Sequence, residues 1–174
     1  MSPVRPSPTA TVSGRLRLLS LALGAFAVLA SCSSSTDSSS TRDVLGNWQA
    51  DSTGTSQESY ERHLTLGADG SFSFLHRSFG VYDNQSAGEL SGFERVTGSF
   101  RIESDRLIFE PQMLLLWDYT FGRDAPTQVY SDYPYDHFYD DTHFTIDGET
   151  LTLHFTDYPA DEPVSSTQVF QRVQ

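Results

Sequence analysis

Two histidines and three aspartates lie close together near residue 140 and could ligate a metal ion. His137 and His143 stand beside Asp136, Asp140 and Asp141. Imidazole and carboxylate groups bind zinc, and carboxylates bind calcium. Their spacing matches neither a helical histidine pair nor the regular acidic loop of a calcium site. We therefore expect a solvated acidic turn here and predict no metal site.

Three further histidines, His63, His76 and His154, fall in segments with strand-like alternation. A histidine pointing into a barrel could ligate haem iron. His63, however, alternates with the apolar positions of its segment and is expected to face solvent. We predict no cofactor.

The sequence contains no recognisable catalytic motif. We find no Gly-x-Ser-x-Gly, no glycine-rich phosphate loop and no convincing pair of hydrolytic carboxylates. The serines and carboxylates are scattered as turn and surface residues usually are. We predict that this protein is not an enzyme.

Aromatic and acidic side chains are concentrated between residues 117 and 139. The aromatic ones are Trp117, Tyr119, Phe121, Tyr130, Tyr133, Tyr135, Phe138 and Tyr139. Such a segment either folds back over the domain as a lid with a solvated acidic rim, or forms a recognition surface in which tyrosines supply contact area and a polar tip. Both interpretations remain open, and Tyr133 and Tyr135 are candidate ligand contacts.

The N-terminus has the order of charges and apolar residues that is typical of an export signal. Arg15 and Arg17 precede an apolar run over 18–30, which ends in small residues before Cys32. About 13 apolar residues are too few to span a bilayer comfortably, since spanning takes roughly 20. We expect residues 1–31 to be a signal peptide.

The sequence Leu29-Ala30-Ser31-Cys32 resembles the lipobox of bacterial lipoproteins. The resemblance implies that Cys32 is acylated and becomes the mature N-terminus, anchored in a membrane by its acyl chains. It also implies a cell-envelope location, on the outer membrane if the cell has two membranes, because Ser33 follows the cysteine. Residues 32–43 are rich in serine and threonine and are expected to form a flexible tether.

The predicted mature chain is strongly acidic, with eight arginines, no lysine and 23 acidic residues, a formal charge of −15. This charge repels phosphate and supplies none of the counterion release that drives nucleic-acid binding. We exclude nucleic acid as a partner. Residues 44–174, about 130 in number, are enough for one domain with a real core.

Apolar residues of this domain occupy every second position in short stretches, which is typical of strands with one buried face. Hairpins are predicted over 64–74, 96–109 and 144–155, and further strands at 46–50, within 112–121 and at 167–173. Turn residues such as Asp69-Gly70 and Asp147-Gly148 suit tight hairpins. Eight or nine antiparallel strands predict an all-β, up-and-down meander barrel.

The segments at the two ends of this domain resemble the lipocalins, in particular bacterial lipocalin-like domains. Gly46 and Trp48 match the Gly-x-Trp motif, and Arg172 matches the arginine of the closing strand. The resemblance implies that these three residues close the base of the barrel. It also implies an interior that holds a small molecule.

Our leading hypothesis is a small hydrophobic ligand inside the barrel. The candidate contacts are Phe72, Phe74, Phe100, Phe109, Tyr133 and Tyr135. The alternative is a filled barrel that serves as a structural or interaction module and binds another envelope protein through its acidic, tyrosine-rich rim.

Overall fold

A computed structural model describes residues 43–53, 58–82, 84–159 and 162–174. The expected signal peptide, the expected acylation site at Cys32 and nearly all of the expected tether lie outside these residues. Within the described ranges, none of the helical turns is long and apolar enough to cross a bilayer.

The described chain folds into nine antiparallel strands and one short 3₁₀ helix. The strands are β1 (Gly46–Thr53), β2 (Ser59–Leu66), β3 (Ser71–Phe79), β4 (Leu90–Glu103), β5 (Arg106–Asp118), β6 (Gln128–Tyr130), β7 (Asp140–Asp147), β8 (Thr150–Asp157) and β9 (Val164–Val173), and the 3₁₀ helix is Tyr119–Phe121.

Eight of the strands close into a barrel, and β6 is an extra strand beside it. Consecutive strands from β1 to β5 are paired, β5 continues to β7 through Arg106 and Leu107, and β9 pairs with β1. This topology confirms the antiparallel up-and-down barrel that the period-two pattern predicts. Closure pairs each of these eight strands on both sides, although β5 and β7 share only a short ladder near one end.

The tight turns define one end of the barrel, which we call the base. The β2–β3 turn has Gly70 at φ +80°, and the β7–β8 turn has Gly148 at φ +58°. Positive φ is the conformation that glycine adopts without steric cost. Asp69 stabilises the first turn by accepting hydrogen bonds from the backbone N–H and hydroxyl of Ser71, at 3.0 and 2.6 Å. The opposite end, where the longer connections lie, is the mouth.

The structure differs from the sequence prediction along β5. Two separate strands are expected around Pro111, but β5 runs through the proline as one strand. The pairing with β4 shifts register between Thr97 and Gly98, which pairs with Pro111. A proline cannot donate to the sheet and is tolerated at such a bulge. A Cβ on Gly98 would lie 2.2 Å from the carbonyl oxygen of Glu110, so the close approach requires glycine.

The short strand β6 is not predicted by the sequence. It pairs with Leu114, Leu115 and Leu116 near the mouth end of β5, whereas β7 pairs with β5 near the base. β6 therefore covers the part of the β5 edge that β7 does not reach. Three residues are too few for the alternation pattern to show.

Trp48 fills the base of the barrel. Its side chain is 1% exposed, and its indole N–H donates to the carbonyl oxygen of Val44 at 2.8 Å. The guanidinium carbon of Arg172 lies 4.1 Å from the ring centroid, and the same guanidinium donates to the carbonyl oxygen of Leu45 at 2.9 Å. Gly46 lies against this arginine, because a Cβ there would be 2.7 Å from Nη1 of Arg172. Stacking of this kind contributes on the order of 1 kcal/mol.

Candidate binding site at the mouth of the barrel

The residues that face the barrel interior change from apolar to polar halfway between base and mouth. On β2, buried Leu66 and Leu64 are followed at the same parity by Arg62. The neighbouring strands show the same change, from Phe74 to His76 on β3 and from Val96 to Glu94 on β4. The lower interior is therefore an apolar core, and the upper interior is a polar chamber.

Arg62, His76 and Glu94 form one row across three adjacent strands. Arg62 is the cross-strand partner of His76, and His76 is the partner of Glu94. Directly opposed residues in a sheet have Cβ atoms about 5 Å apart, so their side chains interact. The row places a cation, an imidazole and a carboxyl group side by side on one wall.

A cavity of about 470 Å³ opens in front of this row, within the range of ligand pockets. Its other walls come from β8, β9 and the segment before β7. The lining residues beyond the row are Phe74, Tyr133, His137, Phe138, Tyr139, Phe155, Asp157, Ser166, Thr167 and Gln168. The cavity thus combines aromatic faces with both signs of charge.

Arg62 is held by neutral partners. Its Nε donates to Nδ1 of His76 at 3.1 Å, a terminal N–H donates to Oε1 of Gln168, and the guanidinium carbon lies 4.5 Å from the ring centroid of Tyr60. Because Nδ1 of His76 accepts a hydrogen bond, the neutral ring carries its proton on Nε2. Burial, together with the charge of Arg62, lowers the pKa of His76.

Of the three residues in the row, Glu94 has the fewest hydrogen-bond partners. Burial raises the pKa of this carboxyl group, and the charge of Arg62 offsets part of that rise. Among the described residues no hydrogen-bond donor or ion-pair partner contacts it, and its oxygens are not sealed from the cavity. Such a carboxylate is costly to ionise because desolvation is not repaid by hydrogen bonds.

Glu94→Gln is therefore expected to stabilise the fold at pH 7. The pKa of Glu94 is higher in the folded than in the unfolded protein. The stability that the protonated carboxyl group contributes is therefore fully present below the unfolded-state pKa, and it is lost as pH rises through the folded-state pKa. Glutamine removes this loss, which we expect to be on the order of 1 kcal/mol. Urea unfolding at pH 7 and pH 4 tests this, with the gain present at pH 7 and absent at pH 4.

The matched control is Glu58→Gln, an exposed glutamate just before β2 that should change little at either pH. A Glu94→Gln variant less stable than the parent at pH 7 would mean that the ionised carboxylate is stabilised in the fold, contrary to this account.

The segment before β7 inserts two aromatic rings into the barrel. Phe138 stacks on Phe72 at 5.4 Å between centroids and meets Phe109 edge-on at 5.6 Å. Tyr139 lies 4.2 Å from Phe155 and 5.4 Å from Phe74. Burial raises the pKa of Tyr139 well above its usual value, so its hydroxyl stays protonated. The end of the aromatic segment thus serves as a plug, which we define as Phe138 and Tyr139.

The six candidate ligand contacts fall into two groups. Phe72, Phe74 and Phe109 are packed against the plug, and Phe100 is 8% exposed in the core. Phe74 also lines the cavity. Tyr133 lines the cavity and meets Tyr135 edge-on at 5.4 Å, whereas Tyr135 is 54% exposed at the rim.

The histidines and aspartates near residue 140 form separate pairs. His137 contacts Asp140 at 2.5 Å, and His143 contacts Asp105 at 3.1 Å. In the described ranges, no group of three or more histidine, cysteine or acidic side chains is placed to hold a metal ion. His76 lines the cavity, while His154 is exposed on the outer wall and lies against Thr167.

The row of Arg62, His76 and Glu94 is missing from the sequence prediction. A signal is present in each strand, because each of the three residues continues the buried parity of its neighbours. The signal becomes visible once the three hairpins are aligned in register, since the residues are then brought to one level.

Fold and site together define the class: an antiparallel up-and-down β-barrel with an apolar base and a polar chamber at its mouth. The chain matches no protein-family model, and neither the curated proteins nor the solved structures compared with it include a match.

Proposed function

We propose that this protein is a lipid-anchored envelope protein that binds a small molecule in the mouth of its barrel. The lipobox-like sequence ending at Cys32 supports the anchor, and the cavity of about 470 Å³ supports the binding role. The observation that carries the proposal is the change of interior residues from apolar to polar. A barrel that is merely a scaffold gains nothing from charged groups inside it, because their desolvation costs free energy.

The geometry favours an amphiphilic ligand over a purely hydrophobic one. Phe138 and Tyr139 already occupy the apolar part of the interior. The open space touches Phe74, Tyr139 and Phe155 on one side and polar groups on the other. A ligand with a short apolar body and one polar group satisfies both walls.

Native mass spectrometry of the full chain, purified in detergent from its own host, tests the proposal. We expect a small molecule retained by the parent protein and lost from Ser166→Trp, because Ser166 lines the cavity and a bulky ring there fills it. The matched control is Ser165→Trp, whose exposed side chain lies on the outer face of the same strand and should leave the ligand bound. Equal retention by both variants would contradict a site in the mouth.

A second candidate is an interaction module that binds another envelope protein. The exposed apolar side chains around the mouth favour it: Tyr135 is 54%, Phe121 54% and Val129 65% exposed. In this case the parent protein carries no small molecule, and a pull-down from envelope extract depends on Tyr133 and Tyr135. A pull-down that is insensitive to their replacement would count against this second candidate.

A further inference from the structure

The charged groups of the chamber differ in how many of their hydrogen bonds are made within the protein. Arg62 donates to His76 and Gln168 and rests on the ring of Tyr60, so its cation already has neutral partners. Glu94, in the same row, receives no hydrogen bond from the described residues. A ligand that completes this site therefore brings a donor for Glu94, and has less to offer Arg62.

A second carboxylate lies across the cavity. Asp157 lines it from β8, and its hydrogen bond among the described residues comes from the backbone N–H of the next residue, Tyr158, at 2.9 Å. The lining therefore contains two carboxylates that form no salt bridge with another described residue, against one guanidinium, whose charge acts on Glu94 from the same row. The whole sequence carries a formal charge of −12, so the surrounding potential attracts cations and repels anions.

The remaining walls are aromatic. The ring centroids of Tyr139 and Phe155 lie 4.2 Å apart, and the ring of Phe74 meets that of Tyr139 edge-on. Faces of aromatic rings attract cations, because the ring quadrupole places negative charge on the face. Carboxylates combined with aromatic walls form a typical environment for an organic ammonium group. A metal ion fits less well, because the described residues offer no cluster of three ligating side chains.

We infer that the chamber binds a small organic amine, with its ammonium group paired to Glu94 and its apolar body against Phe155 and Tyr139. This inference rests on the proposed function and names the ligand class of the same site. The cavity of about 470 Å³ is large enough to hold such a small molecule.

Isothermal titration of the full chain with three matched probes tests this inference. The probes are 2-phenylethylamine, 2-phenylethanol and 3-phenylpropionate, which differ mainly in the charge of the polar group. We expect the amine to bind at least about tenfold more tightly than the alcohol, since a hydrogen bond between an ammonium group and a carboxylate is stronger than one with a neutral donor. The anionic probe should bind more weakly still.

Two substitutions assign the effect to Glu94. Glu94→Gln should weaken binding of the amine by about tenfold and leave binding of the alcohol unchanged, because the charge of the side chain is lost while its shape is kept. Glu94→Asp keeps the charge and should keep the preference for the amine, with Glu58→Gln as the control outside the cavity. Circular dichroism of each variant verifies the fold.

The outcomes separate this inference from the proposed function. Equal binding of amine and alcohol, preference for the acid, or an amine affinity unaffected by Glu94→Gln would each overturn the amine assignment. If native mass spectrometry still finds a small molecule that Ser166→Trp releases, the binding role stands without it. If the protein retains no small molecule and none of the three probes binds, both the amine assignment and the proposed binding role are overturned.

Discussion

Trp48→Ala is expected to lower the free energy of unfolding by about 3–5 kcal/mol, the range for a fully buried aromatic side chain. The indole is 1% exposed and packs in the same core cluster as Leu66 and Phe170. Its removal also leaves the carbonyl oxygen of Val44 without the indole N–H and the guanidinium of Arg172 without its ring. Because domains are stable by only about 5–15 kcal/mol, urea unfolding should show a large shift in midpoint.

The matched control is Trp117→Ala, which removes the same side chain from the outer wall. Trp117 is half-buried and stacks on Phe93 at 6.5 Å, so we expect a loss of about 1 kcal/mol. Comparable losses for the two variants would mean that the base of the barrel is not closed by Trp48.

The architecture was predictable because the strands of the barrel share the same alternation of apolar and polar residues. Alternating apolar residues and tight turns such as Asp69-Gly70 specify antiparallel hairpins locally, without long-range information. Eight such strands then have few ways to bury one face, and closure of β9 on β1 is among them. The contact between Trp48 and Arg172 lies at this closure.

The departures have identifiable physical causes. The continuity of β5 through Pro111 depends on Gly98 in the neighbouring strand, so neither residue predicts it alone. The polar row depends on register across three strands, which a single strand does not contain. The insertion of Phe138 depends on the space left by Phe72, Phe74 and Phe109. From the sequence, both a lid and a recognition surface are consistent with the same tyrosines and aspartates, and one does not exclude the other.

The polar row also shows where stability and function diverge. Natural sequences are expected to be locally consistent, and violations concentrate at functional sites. Glu94 is such a violation, because a leucine-like residue at this parity would extend the core above Val96. The row therefore supports the mouth, rather than the base, as the functional end of the barrel.

Phe138→Ala is expected both to destabilise the protein and to open its apolar interior. The ring contacts Phe72, Phe74 and Phe109, so its removal should cost about 3 kcal/mol and leave a space lined by these three rings. Because Phe138 also lines the mouth cavity, that space would be continuous with it. We expect the variant to bind the uncharged apolar dye Nile red at least about tenfold more tightly than the parent, because the vacated space adds apolar surface to the mouth cavity.

Tyr135→Ala is the control, because it removes a ring from the same segment that is 54% exposed. We expect it to change the free energy of unfolding by no more than about 0.5 kcal/mol. The uptake of dye should stay the same as in the parent. If Phe138→Ala behaves like Tyr135→Ala, the plug does not fill the barrel. If it gains dye binding while 2-phenylethylamine still binds through Glu94, the apolar interior and the polar chamber are separable parts of one cavity, and the plug sets how much of the interior a ligand reaches.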